Sequence, residues 1–501
     1  MKYPIQISKI AILFLFLATQ FAYGQSDHYW TQNFNTESSL LGGAVVGGYA
    51  GPSAIYYNPA LINQEGKEKF ALSANLFSFH SMKIENLVGE GTIYDNLVLK
   101  VQPKFISFSK SPKKNKKLTY GFAFLVPLTT DVRFNYLYDT VVDIIHRLDG
   151  LENYEGNIMY KSSYDDYYLG GGVSYKLSDR FTTGISGFFS LKSLKYRYAT
   201  SLRAMQNSDT VYSQGIPEPY YSAQRNSSEE LTYSDLSLLF KIGFHYASGN
   251  GNWGIGLKLS TPSLHIFGKG DVRKEYHRSN VFDNSADQFT PNLDFYSYQL
   301  DVNTKVKDPA SIAFGLQFKT SNRKHTIYFT TEYFAAIDHY PVLQTTDSKI
   351  IGNIQIENVA EAMTIYASAR EVLNFGLGLK HKINENFTVN IGFKTDFNAM
   401  YEQREKSDNE YWYNPRLSEL YYDKFHFVAG PSVTLNRFGF ILGLQYTMGR
   451  KDNLLQFYNL TDPVEYDPLT HRSLQGTYQN TMKIKYNELS IFFGITYGLS
   501  N

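Results

Sequence analysis

The side chains that most often carry out catalysis or bind metals are present in this chain but are not grouped. The 501 residues include 11 histidines and no cysteine. The histidines show no H-x-x-x-H spacing, which holds zinc on one face of a helix, and no G-x-S-x-G stretch presents a nucleophilic serine. The sequence therefore predicts no catalytic residue, no metal site and no cofactor, and we do not expect an enzyme.

A different kind of motif stands near the N-terminus, where Asn58-Pro59-Ala60 follows the glycine-rich, apolar stretch 41–57. Glycine permits tight turns and close backbone approach, and Pro59 fixes its own φ and has no N–H to donate. The Asn58 side chain can bond nearby backbone. The apolar content argues against a disordered tail. These features predict a compact segment that packs closely against other backbone.

The chain begins with the features of an export signal. Lys2 gives a positive start, the run 10–18 (IAILFLFLA) is apolar but too short for a membrane helix, and Ala22-Tyr23-Gly24 has the form of a cleavage site. We therefore expect a signal peptide over residues 1–24. Net charge is +1, which gives no reason to expect nucleic acid as a partner.

After the signal, side chains alternate strictly between two kinds. The stretch 438–448 is an example: one set is apolar, and the other is smaller and more polar. Its first set is Phe438, Phe440, Leu442, Leu444 and Tyr446, and its second is Gly439, Ile441, Gly443, Gln445 and Thr447. A period of two puts each set on its own face of a strand. One face suits lipid and the other suits a barrel lumen, and 41 Tyr and 36 Phe fit aromatic girdles.

The connections between strands give a second signal. Fourteen strands can be placed between residues 69 and 500, and the links alternate between short turns such as 178–180 and long loops such as 201–228. Outer-membrane barrels have this asymmetry because periplasmic turns are short and external loops are long. The sequence predicts an all-β fold, a 14-stranded antiparallel transmembrane β-barrel over 68–501 in the outer membrane of a Gram-negative cell, with lipid and lipopolysaccharide around it.

Two external loops are not uniformly polar. Val141, Ile144, Ile145 and Leu148 follow helical spacing, and residues 358–371 have helix-forming composition. Apolar loop helices over the barrel mouth could form an external groove for apolar ligands. Equally, they could only pack on each other.

Four stretches resemble the FadL family of outer-membrane transporters for fatty acids and hydrocarbons. They are 53–60 (SAIYYNPA), 103–109 (PKFISFS), 118–127 (LTYGFAFLVP) and 175–181 (YKLSDRF). The resemblance implies that residues 25–67 form a hatch, or plug, inside the lumen, with Asn58, Pro59 and Ala60 in it. The motif could gate the barrel or could be a fixed turn that seats the plug.

The resemblance also implies a lateral opening at a kink in the third strand. Pro127, Leu128 and Thr129 occupy that position, but the glycine that often follows the family's proline is missing. A proline interrupts a strand ladder in any case, so a kink here is a reasonable expectation.

Two functions follow. The first is passive uptake of hydrophobic small molecules, such as long-chain fatty acids, through an external apolar groove, hatch rearrangement and lateral exit. The alternative is a non-transporting barrel that serves as a partner or adaptor subunit of an outer-membrane secretion or assembly complex. The partners would be a hydrophobic ligand in the first case and other subunits of the complex in the second.

Overall fold

The computed structural model of the protein describes most of the chain. The described residues are 28–31, 34, 36–48, 51–65, 69–207, 212–213, 216–217, 221–346, 350–353, 358–400 and 421–499. The predicted signal peptide lies outside them. Within these ranges, no helix is both long and apolar enough to cross a lipid bilayer.

Fourteen strands form the main sheet, and four of them are broken once. In chain order they are β1 (Lys69–Glu85), β2 (Ile93–Lys110), β3 (Leu118–Val142), β4 (Glu152–Lys176), β5 (Phe181–Gln206), β6 (Ser222–Ala247), β7 (Trp253–Ser260 and Leu264–Ser279), β8 (Leu293–Thr304 and Ser311–Lys319), β9 (His325–Phe334 and Ile337–Gln344), β10 (Ile365–Ala369 and Val372–Lys382), β11 (Phe387–Asp396), β12 (Lys424–Leu435), β13 (Phe438–Leu454) and β14 (Met482–Gly498). Short strands in the external loops are Tyr212–Ser213, Ile216–Pro217, Phe282–Asp283, Gln288–Phe289, Ile350–Gly352, Val464–Asp467 and Arg472–Gln475.

The sheet closes on itself. β1 pairs with β14, from Lys69 opposite Gly498 to Glu85 opposite Lys483. Every other strand pairs antiparallel with its neighbours in sequence. Closure satisfies the backbone polar groups that an open sheet edge would leave in hydrocarbon. The predicted 14-stranded antiparallel outer-membrane barrel is confirmed.

Alternation in burial follows the predicted alternation in sequence. In β13, Leu442 and Leu444 are exposed on the outer face, whereas Gly443, Gln445 and Thr447 are buried inside. In this part of β13 the lumen face therefore carries small and polar side chains, and the outer face is apolar. This arrangement is the reverse of a soluble barrel and suits lipid on the outside.

The strands β3 to β6 are far longer than a membrane requires. Each has 25 or 26 residues, whereas about 9–11 residues cross the hydrocarbon layer. The outer face of β5 changes along its length, from exposed Ile185 and Phe189 near the short turns to exposed Lys195 and Arg197 further out. The charged half of these strands therefore stands outside the membrane, as an extension of the barrel wall.

The described part of the N-terminal segment has no strand. It forms helix α1 (Thr36–Leu40), a 3-10 turn (Gly51–Ser53), helix α2 (Ala54–Tyr57) and a second 3-10 turn (Pro59–Glu65). Its apolar residues form one buried cluster with inward side chains of β1 to β6 and β9. Because it contacts strands on several sides of the barrel, this segment lies in the lumen, and we call residues 28–65 the plug.

The helix predicted around Val141 and Leu148 is wrong. β3 continues in register with β4 until Val142 lies opposite Glu152. The Glu152 carboxylate then accepts the N–H groups of Ile144 (2.8 Å) and Ile145 (3.0 Å). A carboxylate that takes these donors fixes a tight turn, and the chain has too few residues left for a helix.

The second loop prediction is confirmed in part. A short helix, α3 (Val359–Met363), begins within the predicted range, where the Asn358 side chain accepts the N–H of Glu361 and caps the helix. The residues after it form the first part of β10 rather than more helix. Composition indicated the helix, but strand pairing decided where it ends.

Candidate functional site inside the barrel

The Asn58-Pro59-Ala60 motif lies near the periplasmic end of the barrel and is fully buried. The Asn58 side-chain amide donates to the carbonyl oxygens of Val46 (2.8 Å) and Phe244 (3.2 Å), and its oxygen accepts the N–H of Ala60 (3.1 Å). Asn58 therefore joins two parts of the plug to β6. The Ala60 carbonyl in turn accepts the Ser174 hydroxyl of β4 (2.9 Å).

Glycines on the inner wall let the plug backbone come this close. A Cβ atom at Gly256 of β7 would overlap the carbonyl group of Val46, and one at Gly243 of β6 would overlap the Asn58 side chain. The inward glycines of the sequence alternation are therefore the seat of the plug. Any larger side chain at these positions would displace it.

The start of the plug is held at the other end of its path, by Asp396 at the external end of β11. This fully buried carboxylate accepts the N–H of Trp30 (2.9 Å) and the hydroxyl of Thr31 (2.7 Å). The Trp30 indole N–H donates to Glu332 of β9 (3.0 Å). The plug therefore enters the lumen high on the wall and descends to the periplasmic end.

Above the lower part of the plug, inward ionisable side chains form a nearly continuous ring, which we call the ionic ring. Its members come from β4 to β9, β11, β12 and β14, and all are buried except the partly buried Asp308: Asp166, Lys192, Asp235, Lys258, Asp308, Glu332, Lys394, Asp396, His426 and Glu488. Within it, Lys192 contacts Asp308 (2.7 Å) and Lys258 contacts Glu332 (2.6 Å). Buried charges are stable only when paired in this way.

The plug contacts the ionic ring through Tyr56 of α2. The Lys241 ammonium lies 4.3 Å from the centroid of the Tyr56 ring, and the Lys258 ammonium lies 6.0 Å from it. Cations over an aromatic face are attracted by its quadrupole, more strongly where water is excluded. The ionic ring and the plug together fill the lower lumen, and the ionic ring makes its upper surface polar.

Between β2 and β3 the barrel wall is incomplete. These strands pair only from Phe105 opposite Leu125 to Lys110 opposite Tyr120. Beyond this ladder, no strand pairing joins the described residues of β2 to those of β3, although each stays paired with its other neighbour. We call the gap between 93–104 and 126–142 the seam.

The seam begins at the position predicted for a kink. A bulge between Leu125 and Leu128 places Val126 and Pro127 outside the ladder with β4. From Pro127 to Val132 every residue is half-buried, so the alternation of the rest of the strand is lost. Leu128 lies opposite Asp166 in this ladder, which makes β3 an apolar gap in the ionic ring.

Contacts across the seam come from side chains. The Tyr94 hydroxyl of β2 donates to the Arg133 carbonyl of β3 (2.7 Å), and the Tyr94 ring packs edge-on against Phe134 with centroids 5.6 Å apart. The outward side chains of β2 in this region are strongly exposed, with Leu97 at 70% and Val101 at 69%. The β2 side of the seam therefore has an apolar outer face that suits lipid.

The external mouth is filled by the loop 455–481, which we call the cap loop. Its Phe457 is fully buried and its N–H donates to the Leu87 carbonyl (3.0 Å), and the Leu460 N–H donates to Val88 (2.8 Å). The Tyr154 hydroxyl of β4 donates to the Leu474 carbonyl (2.8 Å). The loop thus folds into the barrel rather than over it.

The predicted external groove is not open in this structure. Ile144, Ile145 and Leu148 are buried in the apolar core that the cap loop completes, and Val141 points the other way and is half exposed. They are core residues of the closed mouth. A role in ligand entry for these four residues stays a prediction.

A buried carboxyl group lies inside the cap. Glu465 accepts the N–H of Phe282 (2.8 Å) and is almost fully buried. Burial, with a smaller contribution from Glu152, raises the pKa of Glu465 to about 7, although the Phe282 N–H and Arg147 oppose the rise. The Arg147 guanidinium itself stacks on Tyr221, 4.6 Å from its centroid.

The ionic ring and the folded cap loop could not be predicted from the sequence. Charged residues such as Lys258 alternate with apolar ones along the chain, but their partners lie on other strands and only closure of the sheet brings them together. The described residues contain no group of three or more His, Cys, Asp or Glu placed to hold a metal ion.

Comparisons with known proteins agree with the fold. No family model matches the chain, and no curated protein sequence matches it. The solved structures that resemble it include a FadL homologue of Pseudomonas aeruginosa (12% identity, TM-score 0.53, covering 94% of this chain and 100% of that one). A second is the CymD monoaromatic hydrocarbon channel (9%, 0.51, 93% and 97%), and a third is the Pseudomonas putida toluene transporter TodX (12%, 0.50, 93% and 100%).

These identities are low, so the likeness establishes the fold alone. The chain has the FadL-like barrel fold that its sequence motifs predicted, and it covers nearly the whole length of each of these three structures.

The seat of the plug gives a first prediction. In Gly256→Ala the new methyl group overlaps the Val46 carbonyl, so the plug is displaced and hydrogen exchange of its backbone amides should accelerate at least several-fold. Gly439→Ala is the matched control, because its Cβ would stand 3.6 Å from Thr496 and away from the plug. Equal exchange in wild type and both variants would show that Gly256 does not seat the plug.

The Glu465 carboxyl gives a second prediction. Its pKa is raised in the docked cap, so docking binds a proton and the cap loses stability as pH rises from the ordinary glutamate range through about 7. Hydrogen exchange of residues 455–481 should therefore accelerate between pH 5 and pH 7.5, after correction for intrinsic exchange, by up to about tenfold per pH unit.

Glu465→Gln keeps an oxygen that can accept the Phe282 N–H and has no proton to lose. It should abolish the pH dependence of cap-loop exchange, whereas Asp462→Asn, an exposed residue of the same loop, should leave it unchanged. An unaltered pH profile in the Gln variant would rule out Glu465 as its source.

Proposed function

We propose that this protein is an outer-membrane channel for passive uptake of hydrophobic small molecules, which leave the lumen sideways into the bilayer through the seam. The observation that carries the proposal is the interrupted β2–β3 ladder at Pro127. In hydrocarbon, every missing backbone hydrogen bond costs several kcal/mol. Because such a gap is costly where it faces lipid, we infer that it serves the sideways exit of the solute.

The polar layer below the seam supports sideways exit over passage straight through. A hydrophobic solute in the upper lumen meets the ionic ring, and beneath it the plug, before it could reach the periplasm. An apolar solute gains nothing among paired charges and loses its apolar surroundings in periplasmic water. The bilayer beside the seam is its most favourable destination.

The apolar gap in the ionic ring supports the same route. The β3 residue opposite Asp166 is the apolar Leu128, and it packs against the large apolar core of the upper lumen. An apolar surface thus continues from the upper lumen to the seam. Pro127, Leu128 and Thr129 are proposed as the lower border of the opening.

The plug has the role of a lower seal in this proposal. Asn58, Pro59 and Ala60 hold it against β4 and β6, and Tyr56 links it to the ionic ring. Movement of the plug would loosen the ring and the border of the seam together. The substrate class follows from the apolar path: hydrocarbons or long-chain fatty acids, in keeping with the hydrocarbon and toluene named for two of the structural neighbours.

A second candidate function has its own observation. Plug and cap loop fill both ends of the barrel, and the wall of β3 to β6 extends beyond the membrane with a charged outer face. A sealed barrel with a projecting polar wall suits an adaptor subunit of an outer-membrane complex. Recovery of stoichiometric partners in mild detergent, with unchanged solute uptake after gene deletion, would favour the adaptor.

The transport proposal predicts that a charge at the border of the seam stops uptake. Leu128→Arg places a cation where the apolar path leaves the lumen, so uptake of toluene by intact cells should fall at least tenfold relative to wild type. Uptake of a hydrophilic dye should stay at its low basal level, because the plug is untouched.

Leu137→Arg is the matched control. It lies on the same strand, but its side chain points outward and is 72% exposed, away from the lower border at Pro127, Leu128 and Thr129. Its uptake should equal that of wild type, at equal amounts of folded protein in the outer membrane. Normal uptake by Leu128→Arg would exclude exit at this position.

A further inference from the structure

The cap loop is built as a unit of its own. The Gln456 N–H donates to the Gln479 carbonyl (2.9 Å), and the Gln479 N–H donates back to the Gln456 side chain (3.0 Å). The Asn459 side chain donates to the Thr477 carbonyl (2.8 Å). Because these buried polar groups are satisfied within the loop, it can leave the mouth as a unit without stranding them.

Besides its hydrogen bonds to Leu87, Val88 and Tyr154, this unit inserts one aromatic side chain into the wall. The Phe457 ring lies among Phe134 of β3, Tyr160 of β4 and Tyr198 of β5, with centroid distances of 5.5, 5.9 and 5.8 Å. All three contacts are edge-to-face, the arrangement that aromatic quadrupoles favour. The three wall residues pack around this one ring, and we call them the aromatic cage.

The aromatic cage is also continuous with the seam. Phe134, which forms one side of the cage, packs against Tyr94 across the seam, and the Tyr94 hydroxyl bonds the neighbouring Arg133 carbonyl. Phe134 lies six residues beyond Leu128 on the same strand. A molecule in the cage would therefore already touch the external end of the seam.

From these contacts we infer that the aromatic cage is a binding site for a ring-sized apolar solute, and that Phe457 occupies it while the mouth is closed. The inference rests on the proposed function and names its solute class. An aromatic hydrocarbon of one ring can make the edge-to-face contacts that Phe457 makes, and a linear alkane of similar size cannot. Solute binding and cap closure are then mutually exclusive.

The test uses purified full-length protein in detergent with a nitroxide label on the cap loop. Leu469 at the tip of the loop hairpin is 91% exposed, and the chain has no cysteine, so Leu469→Cys gives a unique labelling site. Toluene should convert the label from an immobile to a mobile state. Heptane should need at least a tenfold higher concentration to do so.

Phe457→Ala in the labelled protein should be mobile without solute and should bind toluene at least tenfold more tightly, because the internal competitor is gone. Phe282→Ala is the matched control, because it removes another largely buried phenylalanine that contacts the cap loop but lies outside the aromatic cage. It should not tighten toluene binding. Equal tightening in both variants would mean that any cavity in the cap binds toluene, and would overturn the inference.

Cell uptake separates this inference from the proposed function. If toluene is taken up while the label stays immobile at saturating toluene, transport stands and the cage is not the entry site. If toluene mobilises the label in the purified protein but cells show no uptake, the cage is a binding site and the transport proposal fails.

Discussion

Backbone pairing is the constraint on which this structure depends. Strands can cross hydrocarbon only if neighbouring strands satisfy their N–H and C=O groups, and β1 meets β14 over its whole length to achieve this. The short ladder between β2 and β3 is therefore the most informative departure in the barrel. It follows from the bulge at Val126 and Pro127, because proline cannot donate to a ladder and the extra residue shifts all that follows. The barrel tolerates the gap because the other edges of β2 and β3 stay paired and side chains such as Tyr94 bridge it.

The lumen consists of three layers that differ in polarity. Below lies the plug, seated on glycines and tied by Asn58 to β6. Above lies an apolar core that the cap loop completes. Between them the ionic ring holds charges whose desolvation is offset by partners such as Asp308 for Lys192 and Glu332 for Lys258. Such a layer is unfavourable for an apolar molecule moving along the axis. At Leu128 of β3 the ionic ring is interrupted by an apolar side chain, and this residue lies where the seam begins.

The alternation of side chains was enough to predict the barrel, its strand count and its inner and outer faces, because a period of two and lipid outside leave few other solutions. The N-terminal plug followed from glycine-rich composition and family resemblance. The helix predicted around Val141 was wrong, because residue spacing alone cannot distinguish a helix from a strand end followed by a turn. Here the carboxylate of Glu152, on the next strand, stabilises the turn. The ionic ring and the folded cap loop were beyond reach for a related reason. The partners of Lys192, Glu332 or Phe457 lie far away along the chain, and only closure of the sheet makes them neighbours.

Because both ends of the barrel are closed, a conformational change that admits a solute has to open one end without opening the other. If only the plug sealed the lumen, loss of the plug would open the barrel from end to end. The cap loop fills the mouth as well, and it is held by one aromatic ring in a cage and by hydrogen bonds to Leu87, Val88 and Tyr154 rather than by strand pairing. In the proposed function, the external end opens while the plug stays seated. On this proposal, a solute in the cage stands above the ionic ring and beside the seam, with the periplasm still sealed. Two separate seals would then let the barrel exchange small apolar molecules with the bilayer without becoming a water-filled pore.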